Sequence, residues 1–159
     1  MKLQISSRLA IFAALELTAR DGGQRSVSEI GSKFGVSSHH LAKVMHVMGR
    51  SGLVRSVRGA GGGYQFIGNT RRTTLLDIVR LFEDLSSAES DLNPADATAE
   101  GRALNQVLDE IDDIARATLG SITIATMRKL VERRYAAPPA AASLRHRNQR
   151  RKNINEKAT

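Results

Sequence analysis

The 159-residue chain contains no cysteine. That excludes disulfides, thiolate metal sites and cysteine nucleophiles. It also lacks an apolar run long enough to cross a bilayer. Histidines are few, at positions 39, 40, 46 and 146. His39 and His46 share a helix face one heptad apart, too far for one small ion unless another element helps, and no metal set emerges. No Ser/His/Asp set and no nucleotide loop stands out, so no catalytic residue is assigned and the chain reads as a non-enzyme. The first 22 residues, "MKLQISSRLAIFAALELTARDG", are basic then apolar, as in a secretory leader. Glu16 inside the apolar part and the lack of a small-residue cleavage site favour a helix of the mature fold. A cytoplasmic location fits.

Charge is present and unevenly placed. The net charge is +8. Residues 1–72 hold 11 Lys/Arg against 3 Asp/Glu, residues 73–135 hold 7 against 12, and residues 136–159 hold 6 against 1. A basic module, an acidic module and a basic tail follow one another, and a basic module points to nucleic acid or another anionic surface.

Local signals divide the basic module into helices. Residues 3–20 are apolar on nearly every helical face, so this helix needs cover on more than one side. "DGG" at 21–23 ends it. Ser26 and Glu29 make a capping box for a short helix stopped by Gly35. Ser37 then caps a third helix, where Leu41, Val44, Met45 and Met48 repeat at i, i+3, i+4, i+7. At about 100° per residue, the opposite face carries His39, Lys43, His46 and Arg50. Two short helices in tandem, the second cationic outside, form the helix-turn-helix pattern.

"VRSVRGAGGGYQF" comes next, from Val54 to Phe66. Leu53, Val54 and Val57 on one side and Tyr64 and Phe66 on the other suit two antiparallel strands joined by a glycine turn, a wing. Arg55 and Arg58 flank a loop whose glycines let backbone approach phosphate or a groove edge. A phosphate-binding nucleotide loop would need Lys-Ser/Thr opening a helix, whereas Tyr64 and Gln65 read as strand. A plain glycine hairpin without a ligand is the competing reading.

Downstream, Thr74 and Asp77 cap the amphipathic "LLDIVRLFEDL". Residues 86–101 read as a loop. From Arg102 a long helix carries a heptad-like seam of Leu104, Leu108, Ile111, Ala115, Thr118 and Ile122, reinforced by Val107, Ile114 and Leu119. Such a seam, with few partners in the sequence, suggests a second copy of the chain. Gly120 is expected to interrupt the helix, with Thr123 capping a last short one. Residues 136–159 read as a disordered basic tail. The expected fold is mainly α with a small β-hairpin wing: a winged helix-turn-helix domain (1–85), a loop (86–101), dimerisation helices (102–135) and the tail.

"GVSSHHLAKVMHVMGRSGLVRSVRGAGGGYQF" with "LLDIVRLFEDL" resembles the bacterial winged helix-turn-helix regulators of the Rrf2 family, which include IscR, NsrR, RirA and CymR, and NsrR above the others. The resemblance covers residues 1–135. It implies a homodimer crossed by long C-terminal helices, binding a palindromic operator in double-stranded DNA, usually as a repressor. Carried onto this chain, Ser37, Ser38, His39, His40 and Lys43 face the major groove or its phosphates. Arg58 and Gly61, Gly62 and Gly63 form the wing, and Lys2 lies near the DNA backbone. The adjacent histidines could equally be plain helix surface.

Many members of the family hold an iron–sulfur cluster through three cysteines in the loop corresponding to 86–101. This chain has none, and Arg8 stands where NsrR-like proteins place a cluster carboxylate; a cation is a poor metal ligand. No cofactor is therefore expected. Either a small molecule or a partner protein serves as effector, or the protein is unregulated; a small-molecule effector is expected between the reading head and the dimer helices. The rival of another class is a winged-helix protein-interaction module that works through its acidic segment and has only non-specific DNA affinity.

Overall fold

The computed structural model describes residues 2–19, 23–59, 61–85 and 94–136. The order is α1 (Ile5–Leu17), β1 (Gln24–Arg25), α2 (Val27–Phe34), α3 (Ser38–Arg50), β2 (Val54–Val57), β3 (Gly63–Phe66), α4 (Leu75–Val79), a 3-10 turn (Pro94–Ala97), α5 (Ala99–Ser121) and α6 (Ile124–Ala136). It is mainly helical with a small antiparallel sheet, as expected of a winged helix. Two compact units divide the chain at Met127/Arg128. Within the second, Arg128 pairs with Glu132 at 3.4 Å.

Local chemistry explains most helix ends. Ser26 and Glu29 close the capping box of α2, and Gly35 ends it at φ 65°. Thr74 and Asp77 do the same for α4. That helix is shorter than its amphipathic pattern suggests, because three-residue bonds from Leu81 to Ile78 and from Phe82 to Val79 tighten its end.

α1 packs against α3 and α4. It buries Leu9, Ala10, Ile11, Ala13, Ala14 and Leu17 in one core with Ile30, Leu41, Val44, Met45, Met48, Val54, Leu75, Ile78, Val79 and Ile124. The cover expected around α1 is incomplete at its first residue, Ile5, which is exposed.

The sheet has the order β1-β3-β2, all antiparallel. Val54 faces Phe66 and Val57 faces Gly63 across the expected hairpin. Sequence reading missed β1, which pairs Gln24 with Gln65 and Arg25 with Tyr64. A Cβ at Gly63 would collide with the Arg25 carbonyl, so this glycine is required by strand packing.

The acidic half departs from expectation in two places. The loop expected to run to 101 ends early: Pro94–Ala97 coil into the 3-10 turn, Thr98 accepts from the Gly101 N–H, and α5 begins at Ala99 instead of Arg102. Gly101 has no Cβ to strike the Ala95 carbonyl. Gly120 does not interrupt α5. The break falls at Ile122, whose carbonyl accepts from Leu75 N at 2.9 Å, while Ile124 N donates to Thr73 O at 3.0 Å. This two-strand bridge, Thr74 against Thr123, pulls the backbone out of the helix. Thr123 then caps α6 as expected, accepting from Thr126 N at 3.1 Å.

Candidate nucleic-acid interface

α3 carries the site. Ser37 is its N-cap, accepting from His40 N at 3.5 Å. Leu41, Val44, Met45 and Met48 are fully buried, which fixes the rotation of the helix. His39, Lys43, His46 and Arg50 are exposed on the opposite side, and Ser38 is exposed as the first residue of the helix. None of these four side chains has a hydrogen bond or ion pair among the described residues, so the face presents unspent donors to solvent.

His40 departs from this group. It is half-buried, and its Nε2 lies 3.3 Å from Ser6 Oγ of α1. The resemblance placed it simply on the reading face. Sequence spacing could not show the contact, which joins residues 34 apart.

The wing is built by its glycines and by β1. Gly59 and Gly61 adopt φ of 117° and 76°, which only glycine takes without strain. Gln24 of β1 donates through Nε2 to the Gly61 carbonyl and tethers the loop. Gly62 has no Cβ to press on the Val57 and Gly59 carbonyls. Gly62 and Gly63 are therefore explained by backbone packing, and Gly61 is the exposed glycine of the three. Arg55 is exposed and oriented by Gln65 Oε1, which accepts from its Nε at 3.1 Å and its Nη2 at 2.8 Å. Arg58 is exposed with no ion pair among the described residues.

Lys2 is exposed and lines a cavity of about 180 Å³ with Glu83, Asp84, Leu85, Asp112, Ala115 and Arg116, an acidic setting between the head and α5. Arg116 donates to the Leu85 carbonyl and to Asp113 Oδ1 at 2.5 Å. That hydrogen bond, with the neighbouring Asp112 and Asp109 charges, raises its already high pKa.

The seam of α5 splits in two. Leu104, Leu108 and Ile111 are exposed, and Val107 and Ile114 are as exposed, at 53% and 68%. Ala115 instead borders the cavity, Thr118 returns its hydroxyl to Ile114 O, and Ile122 packs with Leu119 onto the core of the head. Among the described residues the exposed apolar stripe runs from Leu104 to Ile114, and Thr118 of the expected seam is exposed as well. Beyond that point the helix leans on the head of its own chain.

The residues present do not fit an iron–sulfur cluster. No thiolate is available, and Arg8 is an exposed guanidinium 6.0 Å from the Phe12 ring. Among the described residues no group of three or more His, Asp or Glu is placed to hold a metal. No described helix is long and apolar enough to cross a membrane. Residues 86–93 of the 86–101 loop, and the tail from 137, lie outside the described residues.

Residues 3–129 match the model of the Rrf2 family, described as iron-dependent transcriptional regulators. The chain is 44% identical over 151 residues to the HTH-type transcriptional regulator BadM of Rhodopseudomonas palustris, covering 92% of this chain and 95% of that one. Its structure resembles CymR, the global cysteine regulator of B. subtilis, with TM-score 0.68 and 27% identity over 82% of this chain and 98% of that one. It resembles T. potens IscR with TM-score 0.67 and 26% identity over 89% and 96%.

Proposed function

Since the chain belongs to the Rrf2 family and is a DNA-binding transcriptional regulator, we propose that it acts as a homodimeric repressor on a palindromic operator. The observation that carries this is α3: a helix fixed by four buried side chains, with His39, Lys43, His46 and Arg50 unspent on the opposite face. Such a helix enters the major groove with its N-terminal residues against base edges. Lys43, Arg50, Arg55 and Arg58 meet phosphates and set position, while Ser38, His39 and His40 read bases. The tethered loop at Gly61 approaches the minor groove. The exposed stripe from Leu104 to Ile114 pairs two copies, which sets the spacing of the two heads.

The protein works by binding, without catalysis, in the cytoplasm. It carries no cluster, and a small molecule or partner protein acts from the cavity between the head and α5. Nuclease protection of the DNA upstream of its own gene tests the reading. Two protected half-sites about one helical turn apart (~34 Å) are expected. No protection, or uniform protection of any sequence, would favour a protein-docking module.

A further inference from the structure

The mechanism uses His40 but leaves open what holds it. On its ring, Nε2 faces Ser6 Oγ at 3.3 Å, and Nδ1 has no hydrogen bond among the described residues. His40 occupies the third position of α3, within the N-terminal turn that enters the groove. A neutral imidazole has one donor and one acceptor nitrogen, so what one nitrogen does decides what the other offers. If the serine hydroxyl donates to Nε2, Nδ1 carries the proton and is a donor. If Nε2–H donates to the serine, Nδ1 is an acceptor.

Ser6 is itself held in place. The first turn of α1 has no cap of its own in the sequence, since Gln4 makes no side-chain cap bond. Glu83, beyond α4, supplies one: its Oε1 accepts from Gln4 N at 2.7 Å and from the hydroxyl of the fully buried Ser7. A carboxylate at a helix N-terminus also complements the dipole. Ser6 therefore sits on a turn fixed from both sides, by the core beneath α1 and by Glu83.

We infer that Ser6, outside the helix-turn-helix, is a positioning residue for sequence recognition: it engages His40 Nε2, so that Nδ1 is offered to the operator in one orientation. The inference rests on the DNA-reading role proposed above. It assigns specificity to a side chain that reaches the base through another.

The test compares wild type, S6A, S6T, H40A and the S6A/H40A double variant. Each is titrated by fluorescence anisotropy against operator DNA and against a random duplex of equal length, with thermal melting alongside. S6A is expected to weaken operator binding by roughly three- to tenfold, the scale of one hydrogen bond. Random-duplex binding and the melting temperature should not move. S6T, which keeps the hydroxyl, should restore the affinity. S6A should cost nothing further in the H40A background. Long-range ¹H–¹⁵N spectra should show the His40 ring nitrogens shifting in S6A. Wild-type operator affinity in S6A, or an equal loss with and without His40, would overturn the inference. So would a parallel fall in operator affinity, random-duplex affinity and melting temperature. If the wild type itself does not distinguish operator from random DNA, the DNA-reading proposal fails first, and the two failures are told apart.

Discussion

Single residues carry distinct physical tasks on this surface. Lys43 is exposed on the outer face of α3 and makes no hydrogen bond or ion pair among the described residues. If it neutralises one phosphate, Lys43→Ala will weaken operator binding across all sequences and flatten the salt dependence by about one unit of slope. Anisotropy titrations at several salt concentrations check this, and an unchanged slope removes Lys43 from the phosphate contacts. Glu29 has a structural task. The Ser26 backbone N–H, then the Ser26 hydroxyl, hold its carboxyl below the ordinary 4.5. A lowered pKa means the charged form is the one stabilised by folding, so the contribution is complete above 4.5 and is lost as pH falls through the folded value. Melting curves below pH 4.5 should therefore decline less steeply for Glu29→Gln than for the wild type. Gly63→Ala should cost about 1–3 kcal/mol, as overpacking does, because the new methyl has only the Arg25 backbone to displace. Chemical denaturation measures it, and wild-type stability would mean that β1 can move aside.

At the scale of elements, what the sequence made legible was what neighbouring residues decide. α3 could be read whole: Gly35 and Ser37 mark its start, and 41, 44, 45 and 48 mark its buried face. The hairpin was legible from its glycines and flanking alternation. β1 was not, because Gln24 and Arg25 show no strand pattern; they pair because β3 offers an open edge and Gly63 leaves room. The end of α5 was misplaced at Gly120 because backbone bonds from Thr73–Leu75, some fifty residues upstream, decide it. Spacing alone likewise cannot say that Leu119 and Ile122 face their own core. The exposed stripe gives a test. Leu108 and Ile111 are 48% and 55% exposed in the single chain, so Leu108→Asp with Ile111→Asp should barely change its folding. Sedimentation should show a monomer, with operator affinity reduced far more than random-duplex affinity. A dimer that survives both substitutions would move the interface elsewhere.

At the scale of the molecule, the basic and acidic modules are placed differently. The basic module carries the exposed cationic face of α3, and α5 contributes Asp112 to the cavity, with Arg116 latched to Leu85 and Asp113. Glu83, which lines the cavity, also anchors the start of α1 through Gln4 N. The central claim remains that two α3 helices, held by one dimer, read two half-sites. It is tested most directly by binding to the DNA upstream of its own gene, against a scrambled duplex, measured by anisotropy across a salt series. The account predicts steep salt dependence on both duplexes and an affinity for the upstream DNA at least about a thousandfold higher, on the order seen for specific readers. Equal, weak affinity for both duplexes would contradict it.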